Sequence, residues 1–266
     1  MKIYLFGSTG MLGRYIYLLL SKYYNVNCIN RVDYNIKNDT FEKLEEILSS
    51  DLRENDIIIN CAGIIPQKYL KDEYKVYIKV NTLFPHKLSE IADKYNLKFI
   101  HITTDCVYDG IKGNYSESDL HTAKDIYGIS KSLGEPKNTT IIRTSIIGEE
   151  ITGKKSLIEW IKSNKDGEIN GYTNHYWNGV TCLTLATFIK SIIENNNFWK
   201  GVKHIYSENI VTKYDLCCYV NEIYNLNIKI NKFEDKIQKN MTLTGEIKIE
   251  ENIFEQIKNQ QIKFIY

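Results

Sequence analysis

At 266 residues, with 43% hydrophobic and 25% charged side chains, the chain has the make-up of an ordinary globular protein, enough for one large or two modest domains. A formal net charge of +1 gives no reason to expect nucleic acid or a membrane surface as a partner. Six cysteines (28, 61, 106, 182, 217 and 218) form no C-x-x-C pair and five histidines no i, i+4 pair, so neither a disulfide framework nor a metal site is expected, and the cytoplasm is the expected compartment.

The pattern starts as a strand over 3–6, and glycines at 7, 10 and 13 interrupt the apolar run there, so no signal peptide or membrane span is expected. A helix over 11–22, a strand over 26–29, a helix over 40–48 and a strand over 57–60 follow. A long helix over 75–95 carries Val76, Val80, Leu83, Leu88 and Ile91 along one stripe. A strand over 99–102 opens into the polar, turn-rich stretch 109–125, then a helix over 126–135 and a strand over 140–143. Strand–helix alternation with Val-, Ile- and Leu-rich strands predicts a parallel sheet covered on both faces. Beyond Gly148 the rhythm loosens into helices at 156–162, 183–193 and 213–224, separated by short strands such as 202–206. The predicted class is α/β, a Rossmann-type doubly wound parallel sheet. Residues 1–145 are expected to form that doubly wound domain, and 146–266 a smaller C-terminal substrate-binding lobe, part of which packs back on it.

Gly7-Ser8-Thr9-Gly10-Met11-Leu12-Gly13 stands between the first strand and the first helix. A turn of this kind lets backbone N–H groups reach a pyrophosphate whose charge faces the helix N-terminus, so Gly7, Thr9, Gly10, Met11, Leu12 and Gly13 are the expected cradle of a dinucleotide. The spacing is G-x-x-G-x-x-G rather than the commoner G-x-G-x-x-G. Where a carboxylate at the end of the second strand would grip a ribose diol, the chain has Asn30-Arg31, with Asp33 beyond. Arg31 suits a 2′-phosphate, which favours NADPH with NADH as the alternative. Arg14 is a second candidate, and plain surface charge is the competing reading of both.

Thr104 closes an apolar strand, and Tyr127 and Lys131 lie at i, i+4 on a predicted helix. A phenol becomes a usable acid toward a carbonyl oxygen when a cation beside it lowers its pKa from about 10. Thr104, Tyr127 and Lys131 are therefore predicted to move a proton while a nicotinamide supplies hydride. A second Tyr-x-x-x-Lys match, Tyr108 with Lys112, encloses an Asp-Gly turn and is read as accidental.

Together these features resemble the extended short-chain dehydrogenase/reductases, and within them the dTDP-4-dehydrorhamnose reductase-like branch, over nearly the whole chain. The resemblance rests on the 7–13 loop, Asn60-Cys61-Ala62-Gly63, Asn81, the run 103–110, the helix from Tyr127, Ile142-Arg143-Thr144, Trp177-Asn178-Gly179-Val180-Thr181 and the closing run 260–266. It implies reduction of the 4-keto group of a nucleotide-linked 4-keto-6-deoxy sugar in deoxysugar synthesis. That sugar would be of the dTDP- or UDP-4-dehydrorhamnose type or its 2-acetamido-2,6-dideoxy analogue. By the same resemblance Thr104 orients the substrate, Tyr127 gives a proton to O4 and Lys131 holds the nicotinamide ribose. Cys61, Ala62 and Gly63 pass the cofactor backbone, and Asn81 supports the active-site helix. Asp105, Cys106, Trp177 and Asn178 join Thr104 and Tyr127 around the substrate. Self-association into a homodimer is left open.

Cys106 departs from the branch, which usually carries Tyr there. Related enzymes that epimerise and reduce place a catalytic cysteine at this point, and a thiol can move a proton α to a carbonyl. A small side chain filling space is the competing reading. Epimerisation also needs a second acid or base, for which Lys154, Lys155 and His175 are candidates. Reduction alone is the reading adopted. A bifunctional 3,5-epimerase/4-reductase and a non-catalytic NADP-binding regulatory subunit are the alternatives, and retention of Thr104, Tyr127 and Lys131 argues against the second.

Overall fold

In the computed structural model, which describes residues 1–66, 73–150 and 155–261, β1 (Lys2–Phe6) leads through the glycine loop into α1 (Met11–Leu20). Then come β2 (Asn25–Ile29), α2 (Phe41–Ser49) and β3 (Ile57–Asn60). A helical run follows as α3 (Tyr74–Tyr77), a π-helical segment (Ile78–Leu83) and α4 (Phe84–Lys94). The first half closes with β4 (Lys98–Thr104), α5 (Ile126–Ser132) and β5 (Thr140–Thr144). The second half runs β6 (Ile146–Ile147), α6 (Leu157–Ser163), β7 (Glu168–Tyr172), β8 (His175–Trp177), β9 (Val180–Thr181), α7 (Cys182–Glu194) and β10 (Gly201–Ser207). It ends with β11 (Val211–Thr212), α8 (Lys213–Tyr224), β12 (Lys229–Phe233), β13 (Lys239–Asn240), β14 (Ile247–Ile249) and α9 (Ile253–Asn259). Lys154 and residues 262–266 of the closing run lie outside the described residues.

Side-chain caps explain where several helices begin. Thr40 accepts from Lys43 N–H, Asp125 from Gly128 N–H and Ser156 from Glu159 N–H, and Thr212 with Asp215 forms a capping box. The helix expected over 75–95 departs from the expectation in its middle. Pro85 has no N–H to close the ladder onto Asn81, and just before it Phe84 N–H reaches back five residues to the Lys79 carbonyl. The apolar stripe runs through this change of pitch, which is why periodicity alone did not reveal it.

Seven strands form the main sheet, in the order β14-β10-β5-β4-β3-β1-β2. β1 pairs in parallel with β2 and β3, β3 with β4, and β10 with β14. The register sets Phe6 beside Asn60 and Asn60 beside His101, so the loops after β1 and β3 leave the sheet side by side. Chain succession reverses between β1 and β3, and in open α/β sheets that switch point at the carboxyl ends is where ligands bind.

The chain divides into two compact units. The first comprises Met1–Val107, Ala123–Arg143 and Ala186–Val202. Among its apolar clusters, Tyr4, Phe6 and Ile58 of the sheet pack with Leu44, Leu48, Phe84, Leu88 and Ile91. The second comprises Tyr108–Thr122, Thr144–Leu185 and Lys203–Tyr266, with a core around Ile158, Ile161, Trp177, Leu216, Val220 and Ile257. Within it β12 pairs in parallel with β7, and β8 lies between β11 and β13. The segment Tyr108–Thr122 is anchored there at Thr242, whose carbonyl accepts from Tyr115 N–H at 2.9 Å and whose hydroxyl accepts from Asn114 N–H at 2.8 Å. Gly110, at φ +79, makes the turn that keeps Tyr108 and Lys112 from sharing a helix.

Candidate active site

The glycine loop is built for close approach. A β-carbon on Gly13 would stand 2.1 Å from the Gly7 carbonyl oxygen, and one on Gly7 (φ +81) would stand 2.7 Å from the Ala62 nitrogen. Gly10 sits at the N-cap of α1, its N–H donates to the Gly7 carbonyl at 2.9 Å, and no side chain caps the helix. The remaining first-turn N–H groups and the positive end of the helix dipole are therefore available to an anion. Thr9 is exposed, Met11 half-buried, and Leu12 buried in the base of α1. These residues fit a dinucleotide pyrophosphate. At the end of β2, Ser8 donates to Asn30 Oδ1 at 2.8 Å, and Asp33 accepts from Asn30 N–H, so that carboxylate serves the turn. Arg31 is exposed.

The turn after β3 stands against this loop. Asn60 Oδ1 accepts from Ala62 N–H at 3.0 Å, and Cys61 N–H donates to the Phe6 carbonyl at 3.0 Å. Asn81, on the π-helical segment, clasps the far end: its Oδ1 accepts from Ile64 N–H at 2.9 Å and its Nδ2 donates to the Ile64 carbonyl. The same Nδ2 lies 3.1 Å from Ser130 Oγ, on α5 between Tyr127 and Lys131. Asn81 thus ties the 61–64 turn to the helix bearing the candidate acid.

Thr104 ends β4, and a short 3₁₀ turn carries Asp105 and Cys106. The Thr104 hydroxyl lies 3.1 Å from Asp105 Oδ1 and accepts from Cys106 N–H at 3.2 Å. Helix α5 docks directly on that turn because residue 128 is glycine: a β-carbon there would stand 2.3 Å from the Cys106 carbonyl oxygen. This docking sets α5, which carries Tyr127 and Lys131, against the turn that follows Thr104. Thr104, Asp105, Cys106, Tyr127 and Lys131 are all in the first unit.

Lys131 is buried, and its Nζ donates to the Ile102 carbonyl at 2.9 Å. Burial lowers its pKa to about 8, with Glu135 and Cys61 working in the opposite direction. The Tyr127 phenol is raised rather than lowered, first by burial and then by the Cys106 thiol, while nearby Thr104 offsets part of this. The expectation that Lys131 draws this phenol toward neutrality is corrected here, since the ammonium is directed at the Ile102 carbonyl and desolvation dominates. The Cys106 thiol is likewise pushed up by burial and by the neighbouring Asp105 carboxylate, and burial raises Cys61 to about 12.

In the second unit, Trp177 is buried in the apolar core. Asn178 is also buried; its Oδ1 accepts from Leu243 N–H and its Nδ2 donates to the Leu243 carbonyl, both at 2.8 Å. His175 Nε2 lies 2.9 Å from Asp235 Oδ2, and its ring stacks on Tyr172. Asn60, although named in the motif after β3, and Ser130, inside the Tyr127–Lys131 motif, were given no role of their own in the sequence reading. Among the described residues no cluster of His, Cys, Asp and Glu is suited to a metal ion, and no helix is long and apolar enough to cross a membrane.

A family model described as the RmlD substrate binding domain matches residues 1–237. The dTDP-4-dehydrorhamnose reductase of Aggregatibacter actinomycetemcomitans is 28% identical over 226 residues, covering 79% of this chain and 74% of that protein. Methionine adenosyltransferase 2 subunit beta of Mus musculus is 20% identical over 248 residues, covering 85% and 72%. Among solved structures, dTDP-4-dehydrorhamnose reductase from Bacillus anthracis str. Ames, in complex with NADP, superposes with a TM-score of 0.82 at 17% identity, covering 98% of this chain and 99% of that one.

Proposed function

We propose a function for this chain, which belongs to the RmlD substrate binding domain family: NADPH-dependent reduction of the C4 keto group of a nucleotide-linked 4-keto-6-deoxy sugar. The observation that carries this reading is the docking of α5, with Tyr127 and buried Lys131 one turn apart on it, against the turn that follows Thr104. Similarity to a dTDP-4-dehydrorhamnose reductase supports the substrate class, and likeness in fold to an NADP complex supports the cofactor.

The 7–13 loop and the N-terminus of α1 would hold the pyrophosphate, Arg31 the 2′-phosphate, and the 61–63 turn the cofactor backbone. When bound, the nicotinamide supplies hydride to C4. Thr104 orients the keto oxygen, and Tyr127 gives that oxygen its proton. Its raised pKa keeps the phenol protonated across the working pH range, which suits a donor. Lys131, still largely cationic at neutral pH, would hold the nicotinamide ribose of the bound cofactor. Reduction without epimerisation is the favoured chemistry, because a thiol held up by burial and by Asp105 is a poor proton acceptor at C3 or C5.

Tyr127→Phe removes the donor oxygen alone, so NADPH binding and folding are expected to persist while turnover falls by roughly 10²–10⁴-fold. The assay is NADPH oxidation across a panel of dTDP-, UDP- and GDP-linked 4-keto sugars. Near-normal turnover by Tyr127→Phe on the best substrate would remove the assignment, and a wild type inactive on the whole panel would return attention to a regulatory role.

A further inference from the structure

His101 lies in the centre of β4, fully buried, three residues before Thr104 and outside the machinery described above. Its Nδ1 is 3.2 Å from Asn60 Nδ2. Asn60 Oδ1 is already committed, since it accepts from Ala62 N–H. The amide therefore has its oxygen toward Ala62 and its NH₂ toward the imidazole, which makes Nδ1 an acceptor and puts the ring proton on Nε2. Burial and the Lys131 ammonium hold the imidazole neutral.

We infer that His101 is a positioning residue for the cofactor site: its Nδ1 fixes the Asn60 amide, and through it the 60–64 turn that backs the glycine loop. Turning the Asn60 amide over would set its NH₂ against Ala62 N–H, donor against donor, and release the turn. That turn has little slack, because its backbone stands against Gly7 so closely that even a β-carbon there would collide with Ala62. Asn81 pins the turn at Ile64, and the His101–Asn60 pair pins it at Ala62. A small shift at the second pin moves the phosphate cradle while leaving Thr104, Tyr127 and Lys131 in place. This inference rests on the proposed NADPH-binding reading.

Two amide variants separate position from polarity. In His101→Asn the side-chain oxygen can occupy the place of Nδ1, whereas in His101→Gln the amide extends toward the place of Nε2. NADPH titration of the full chain by quenching of intrinsic fluorescence is expected to give His101→Asn an affinity within about threefold of wild type. His101→Gln should bind about tenfold more weakly, the scale of one buried donor left unsatisfied. In turnover, His101→Gln should raise the KM for NADPH and leave kcat at saturating NADPH within about twofold, a split that general loosening of the fold would not give. Equal NADPH affinity for the two variants, or a fall in kcat without a rise in the NADPH KM, overturns the inference. A His101→Gln chain that does not fold, judged by circular dichroism, while His101→Asn binds normally also overturns it, since the role would then be structural. A wild type that binds no NADPH overturns the functional reading and this inference with it.

Discussion

Lys131 is the residue whose chemistry the burial changes most usefully. An ammonium enclosed by protein titrates near pH 8 rather than in the ordinary lysine range. In the proposed role its charge helps hold the cofactor, so kcat/KM for NADPH should be level between about pH 6 and 7 and fall as pH rises through about 8. The same shift leaves a stability signature. The folded chain gives up this proton near pH 8 and the unfolded chain near its ordinary value of 10.5, so the unfolded state holds more protons in between and stability rises across that window. The melting-temperature difference between wild type and Lys131→Met should therefore move in favour of wild type from pH 8 to 10, and a flat difference would mean the lysine is not desolvated. That the helix carrying Tyr127 and Lys131 meets the turn after Thr104 was legible in the sequence because a Tyr and a Lys at helical spacing follow a hydroxyl at a strand end. The direction of the Tyr127 shift was not, because it depends on how deeply α5 presses the phenol into the protein and on the Ile102 carbonyl that takes the ammonium.

At the scale of elements, β3 and α8 were read to the residue, since an unbroken Ile-Ile-Ile-Asn run and a capping-box start leave little choice. The π-helical segment was not, because Pro85 changes the hydrogen-bond ladder without interrupting the apolar stripe. That segment matters because it presents Asn81 both to the 61–64 turn and to α5. Its fit against the turn that closes α5 is tight: a β-carbon on Gly134 would stand 1.9 Å from the Asn81 carbonyl oxygen, a backbone atom that cannot swing aside. Gly134→Ala should therefore push α5 away from the π segment. The expected cost is about 1–3 kcal/mol, the range for overpacking, with turnover falling further than stability because Tyr127, Ser130 and Lys131 ride on the displaced helix. Ile129→Ala, at an exposed position on the same helix, is the control and should leave both nearly unchanged. A Gly134→Ala protein with wild-type melting and turnover would show that α5 tolerates the shift and that the Asn81 clasp is not strained by it.

For the molecule as a whole, the sheet was easier to read than the second unit, and the reason lies in its strands. β7 and β12 are rich in Lys, Asn and Glu and pair with each other as a two-stranded sheet, so few apolar residues mark them. The segment Tyr108–Thr122 belongs to that unit through hydrogen bonds to Thr242 and His204, far away in sequence, which a reading along the chain cannot see. Asn178 shows what this means for function. Its place in Trp177-Asn178-Gly179 matches a motif whose resemblance implies substrate contact, yet in the structure both polar ends of its amide are spent on Leu243. An amide that bridges two segments far apart in sequence, buried and with both ends satisfied, is an architectural tie, and removing it leaves a buried N–H and a carbonyl without partners. Asn178→Ala is accordingly expected to cost roughly 1–3 kcal/mol, lowering the melting temperature by about 2–4 °C for each kcal/mol in a chain of this size. At temperatures well below that transition, the KM for the nucleotide sugar should stay within about twofold of wild type. If Asn178 instead exchanges Leu243 for the sugar when substrate arrives, melting of the free protein still falls, but the KM rises by tenfold or more, since a bound polar group would lose its partner. Melting and KM measured on the same variant decide between the two.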